Sequence, residues 1–168
     1  MISRSLLLHY TGLPTSWDES NKIALNSAIE SRLVKALTTI KSSSKGGLVY
    51  VQGDGAIVLD VLEELGVTLN QIKGINFPQY FDDKFADTKK YLEVIPKRYT
   101  FIYDVGLESA LKKDFSSQLL KKLIQTITNE NCWCFIISDD SKSSFEKNYK
   151  VPVSNSVALP KKAEINLF

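Results

Sequence analysis

Tyr99-Thr-Phe-Ile-Tyr-Asp-Val-Gly106 sets the reading of the whole chain. Five β-forming residues run without a break into an acid and a glycine, the pattern of a buried strand with a carboxylate at its C-terminal end. A run this apolar, lacking polar alternation, belongs to a strand covered on both faces, and such strands sit in parallel sheets flanked by helices.

Working outward supports that architecture. Residues Phe115 to Thr128 place Leu119, Leu120, Leu123, Ile124 and Ile127 on one side, with Lys121, Lys122 and Gln125 opposite, which predicts an amphipathic helix. Asn129-Glu-Asn131 breaks it, and Cys132-Trp-Cys-Phe-Ile-Ile137 predicts a second apolar strand that ends in Ser138-Asp-Asp140. Upstream, Leu48-Val-Tyr-Val-Gln52 predicts a strand, Gly53-Asp54-Gly55 a turn, and Ala56 to Leu65 a helix closed by Gly66. Before them, Leu25, Ala28, Ile29, Leu33, Ala36, Leu37 and Ile40 recur every three or four residues, giving a long helix with Ser20 as its N-cap. Ile72 to Asn76 reads as a further strand, and Phe77 to Leu92 as loop plus a short helix that Pro96 ends. Residues 1–20 read as flexible or, over Ser5 to Tyr10, as a first strand; Ser156 to Leu159 and Ile165 to Phe168 read as short last strands. Strands alternating with helices predict an α/β fold, a mostly parallel sheet with helices on both faces, in one domain spanning residues 1–168.

The formal net charge of +2 is too small for binding nucleic acid by charge alone, so its placement matters. Residues 97–168 carry eleven Lys or Arg against eight acids, and residues 1–96 ten against eleven. Cys132 and Cys134, the two cysteines, lie two apart in a strand and face the same way, which makes them buried thiols and excludes a disulfide scaffold. With His9 the one histidine, no metal site is expected. No apolar run reaches the length that spans a bilayer, so an intracellular protein, nuclear or cytoplasmic, is expected; Arg4 among apolar residues leaves mitochondrial targeting open.

A strand ending in Asp104, a helix, and a strand ending in Ser138 resemble the Walker B and sensor strands of RecA-like and AAA+ ATPases. The resemblance spans most of residues 45–140 and implies a RecA-like, P-loop-like sheet whose ligand crevice lies at the strand ends. A working P-loop reads G-x-x-x-x-G-K-[ST], so that backbone amides wrap phosphates and a lysine contacts them. Here Gln52-Gly-Asp-Gly-Ala-Ile-Val58 stands in its place, short, acidic and without that lysine. Gly53, Asp54, Gly55, Asp104 and Ser138 are thus a degenerate nucleotide site, with no catalytic residue and no cofactor expected. Gly53-Asp54-Gly55 is also similar to the opening of the diphosphate motif of thiamin-dependent enzymes, but the paired Asn of that motif is missing at its spacing and a tight turn explains the glycines.

Lys142, Phe145, Lys147, Tyr149 and Lys150 follow the second strand, where RecA-like recombinases carry a loop that meets DNA, so lysine–phosphate contact and aromatic stacking on single strands are expected there. Lys112 and Lys113, just after the Walker B-like strand, either extend that patch or are ordinary surface charges. The alternative is a solvated turn with Phe145 in the core. The combined pattern resembles non-catalytic recombinase paralogues of the Shu complex type, implying a heteromer with another RecA-like subunit that assists recombination or repair. A helicase loader, an Elongator-like subunit handling tRNA, and a metal-dependent small-molecule enzyme using Asp54, Asp104 and Asp139 are the alternatives.

Overall fold

A computed structural model describes residues 4–18, 27–86, 94–108 and 113–159. Five strands, β1 (Gly47–Gln52), β2 (Ile72–Asn76), β3 (Tyr99–Tyr103), β4 (Trp133–Ser138) and β5 (Ser156–Ala158), pair in parallel in the order β2-β3-β4-β1-β5. Every residue of β3 is buried, as its sequence requires of a strand with helices on both sides.

Alternation along the strands splits the core in two. Val49, Val51, Phe101, Tyr103, Phe135 and Ile137 point to one side, where α1 (Arg4–Thr11), α2 (Ser27–Ser42) and α3 (Gly55–Glu64) supply Leu8, Leu33, Leu37, Ile57 and Leu62. Tyr50, Ile102, Cys134 and Ile136 point to the other, where α5 (Lys113–Asn129) and α6 (Lys142–Tyr149) supply Leu120, Leu123, Ile127, Phe145 and Tyr149. Phe77, at the start of α4 (Phe77–Ala86), joins this second cluster, and Phe81 meets Phe115 edge-on at 5.3 Å. Cys132 and Cys134 are both free, buried thiols of that same cluster.

At the N-terminal end of the sheet the Arg98 guanidinium donates to the carbonyls of Ser43, Lys45 and Asn131, drawing together the loops that precede β1, β3 and β4.

Two expectations are corrected. Residues Ser5 to Tyr10 lie within helix α1 instead of forming a strand: Leu8 is buried while Leu6, His9 and Tyr10 are exposed, a one-sided pattern of helical spacing. The segment after β4 is helix α6 rather than a loop. Ser141 caps it, its hydroxyl accepting from the Ser144 N–H at 3.2 Å, and Lys150 closes it in the left-handed conformation. Ser20, Lys112 and Ile165 to Phe168 lie outside the described residues.

Candidate functional site

The strand ends that the sequence marks do converge. Gly53, Asp54 and Gly55 after β1, Asp104 and Gly106 after β3, and Ser138, Asp139 and Asp140 at the end of β4 line one cleft of about 170 Å³ at the C-terminal edge of the sheet. Ligand pockets for drug-sized molecules run from roughly 300 to 1,000 Å³, so the enclosed part of this cleft is smaller than such a pocket.

The turn after β1 is closed on itself. The Gly53 N–H donates to the Ser138 carbonyl (2.9 Å), and the Leu159 N–H donates to the Gln52 carbonyl (2.7 Å) behind it. Gly53 has φ of +118°, and a Cβ there would lie 2.2 Å from the Leu159 carbonyl oxygen, so only glycine fits. Asp54 is the N-cap of α3, and its carboxylate accepts from the Ala56 N–H at 3.0 Å. A phosphate at a helix N-terminus would use such amides and the favourable end of the helix dipole. Here an anionic side chain of the chain itself holds that position.

The β3 exit is equally committed. Asp104 sits in the left-handed region (φ +59°), followed by Gly106 at φ +104°. The residue as a whole is exposed, but partial desolvation of its carboxylate, and then the nearby Asp139 carboxylate, push its pKa above the usual carboxylate range. Ser138 is buried; its hydroxyl donates to the Val105 carbonyl (2.9 Å) and accepts from the Asp140 N–H (3.2 Å), so the residue in the sensor position staples two strand ends together. Asp54, Asp104 and Asp139 share the cleft, but among the described residues no three His, Cys, Asp or Glu side chains are placed to hold a metal ion.

Three features went unmarked by sequence. Trp17, in a 3-10 turn (Thr15–Asp18), walls the cleft and crosses the rings of Phe101 and Tyr103 at centroid distances of 5.9 and 6.0 Å. The Tyr103 hydroxyl donates to the Gly12 carbonyl (2.8 Å), and burial raises its pKa. Glu108 is the hub between the β3 exit and two helices: its carboxylate accepts from the Gly106 N–H (2.7 Å) and from the hydroxyls of Ser116 and Tyr149. A lone Trp within a polar stretch is the only sequence signal for the first, and nothing local signals the third.

The proposed nucleic-acid residues separate into two groups. Lys142, Lys147 and Lys150 are exposed on α6 and its C-cap. Phe145 (0% exposed) and Tyr149 (6%) face inward, so the expectation that they stack on bases is corrected. Phe145 meets the Tyr50 ring at a centroid distance of 4.5 Å and the Tyr149 ring at 5.1 Å, both tilted, and an i, i+4 pair of rings is what anchors so short a helix. The Tyr149 hydroxyl is kept protonated by burial and by its bond to Glu108. Lys113 opens α5.

Among the described residues no helix is long and apolar enough to cross a membrane. No protein-family model matches the sequence, and no curated protein does. Among solved structures the chain resembles the crystal structure of the DnaC helicase loader, with a TM-score of 0.50 and 13% identity over 80% of this chain and 92% of that one. At that identity the likeness is one of fold: this is an α/β chain with an all-parallel five-stranded sheet between helices, an architecture it shares with that structure.

Proposed function

We propose that the chain is a non-hydrolysing P-loop-type subunit that works by binding. It holds DNA, single-stranded by preference, through Lys142, Lys147 and Lys150, and it pairs with a second subunit of like fold. The observation that carries this reading is the Asp54 carboxylate on the Ala56 amide: the helix N-terminus that would cradle phosphate is filled by an anion of the chain, in a cleft about 170 Å³ in size. Asp104, Asp139 and Asp140 around the same cleft add further charge of the sign that repels a triphosphate.

Two settings follow from this reading. Helicase loading is favoured by the fold shared with the DnaC loader. A recombination heteromer of the Shu type is favoured by the resemblance carried by β3, β4 and their terminal acid and serine. Co-purification separates them, since the first predicts a replicative helicase as the companion and the second another RecA-like subunit. An Elongator-like role predicts tRNA in place of DNA.

The test is calorimetry of the purified chain with ATP and magnesium, alongside a salt series of single-stranded DNA titrations. The expected outcome is no heat of nucleotide binding. DNA affinity is expected to fall steeply with salt and to be lost in the Lys142→Glu, Lys147→Glu, Lys150→Glu triple variant. Micromolar magnesium-dependent ATP binding that disappears in Asp104→Ala would refute the reading, as would DNA binding untouched by the triple reversal.

A further inference from the structure

A parallel sheet turns all of its strand starts one way and all of its strand ends the other, and in this chain the two ends carry opposite charge. At the start, Lys45 in the loop before β1, Lys73 on β2, and Lys97 and Arg98 before β3 come together. The Lys73 ammonium donates to the Ile95 carbonyl at 2.9 Å, and the Arg98 guanidinium reaches the Lys45 carbonyl. Desolvation first, and then the Lys97 charge, lower the pKa of Lys73, as crowding among cations should. Lys41 joins them from the end of α2, and the acids exposed at this end among the described residues, Glu64 and Glu130, leave the cations in excess. At the opposite end Asp54, Asp104, Asp139 and Asp140 line the cleft, and Lys142 at the start of α6 offsets only part of that charge. Each end also presents one large apolar side chain to solvent, Ile95 at the basic end and Leu107 at the acidic end, each 70% exposed.

Strands of five or six residues hold these ends about 17–20 Å apart. Physiological salt screens a charge over about 8 Å, so the two ends do not neutralise each other within one molecule. Carboxylates alone would name no partner; the far end of the same molecule names one. We propose that the two ends are the halves of a self-association interface, the acidic end of one copy taking the basic end of the next. Leu107 meets Ile95 at the centre, and Asp104 and Asp140 face Lys73 and Lys97 around it. An apolar centre within a polar rim is the anatomy of a specific interface, and opposite potentials steer the encounter and fix its polarity. The paired surfaces differ and face opposite ways along the strands, so the contact is heterologous and repeats from copy to copy instead of closing as a two-fold dimer. The inference rests on the reading of the chain as one that pairs with a subunit of like fold, and it names that subunit as another copy and the surfaces that meet.

Sedimentation velocity of the full chain tests it, with Ile95→Asp to break the basic end and Leu107→Lys to break the acidic one. Both side chains are exposed, so thermal melts should find each variant as stable as the wild type. At low salt the wild type should grow with concentration beyond a dimer, and its association should weaken at least about tenfold on going to about 0.5 M sodium chloride. Each variant keeps one sound end and one broken end, and alone it should stay monomeric where the wild type associates. Mixed, the sound acidic end of Ile95→Asp takes the sound basic end of Leu107→Lys, giving a one-to-one complex that cannot grow. A wild type that stays monomeric at about 200 µM in low salt would overturn the inference. So would association that salt leaves unchanged, that either variant retains, or that the mixture fails to restore. Loss of DNA binding in Ile95→Asp without any self-association would give the basic end to nucleic acid instead. A monomer that still captures a different subunit of like fold would sink this inference and leave the proposed function standing, whose DNA and ATP tests are read on α6 and Asp104, untouched by either variant.

Discussion

Phe145→Ala is the change on which a core role and a DNA-contacting role disagree most. The ring is fully buried and in tilted contact with Tyr50 and Tyr149, so truncation removes its whole transfer energy and two aromatic contacts, and leaves a cavity beneath α6. Truncations of this kind cost about 3–5 kcal/mol, a large part of the roughly 5–15 kcal/mol that holds a domain together. At about 2–4 °C per kcal/mol for a chain of this size, the melting temperature should fall by about 6–20 °C. A ring free to stack on a base predicts the opposite: stability within about 0.5 kcal/mol of wild type and a loss of about 1–3 kcal/mol in single-strand affinity. Thermal melts followed by circular dichroism give the first quantity. DNA titration well below the melting point, where the variant remains folded, gives the second. A melting temperature within 2 °C of wild type, together with weakened DNA binding, would refute the inward placement of Phe145.

Asp104→Asn should stabilise the protein slightly at neutral pH, because partial desolvation and Asp139 raise the folded pKa of this exposed residue. The folded state then holds its proton more tightly than the unfolded one, so stability falls as pH rises from the ordinary carboxylate value through the raised one. The difference between variant and wild type should therefore vanish in melts near pH 3, and asparagine tolerates the left-handed backbone at this site. Glu108→Ala strands the hydroxyls of Ser116 and Tyr149 and frees the Gly106 amide, for a loss of about 1–3 kcal/mol in chemical denaturation. Ultraviolet titration should show Tyr149 ionising at lower pH in that variant, since one cause of its upward shift is removed. Asp54→Ala removes the α3 cap at a cost of about 1 kcal/mol, and calorimetry should still register no ATP binding, because the amide is released without a lysine to accompany it.

β3 and β4 were legible because an unbroken apolar run has one comfortable environment, the middle of a parallel sheet, and the acids after Tyr103 and Ile137 then fall on one edge of that sheet. The glycine turn was legible for a related reason: Gly53 and Gly66 both take up positive φ at the ends of elements bracketed by apolar runs. Helices α1 and α6 were not legible. Each is eight residues long, too short for periodicity to declare itself, and α6 presents only Phe145 and Tyr149 to the core. Interleaved with lysines, those two rings imitate a nucleic-acid surface, and only the sheet beneath shows that they belong inside. The site was legible as far as its strand ends. Trp17 and Glu108 reach it through contacts with residues distant in sequence, such as Phe101 and Tyr149, and no local pattern encodes them.

The strand order has a consequence for how this protein comes into being on a ribosome. Gly47 of β1 lies beside Trp133 of β4, while its other neighbour, β5, begins only at Ser156. Both edges of β1 therefore stay open until residues 133–138, and then 156–158, have been made. Its Leu-Val-Tyr-Val run is then a sticky ribbon that can pair with another chain, so yield in overexpression should depend on chaperone supply, and fragments ending before residue 133 should aggregate instead of folding.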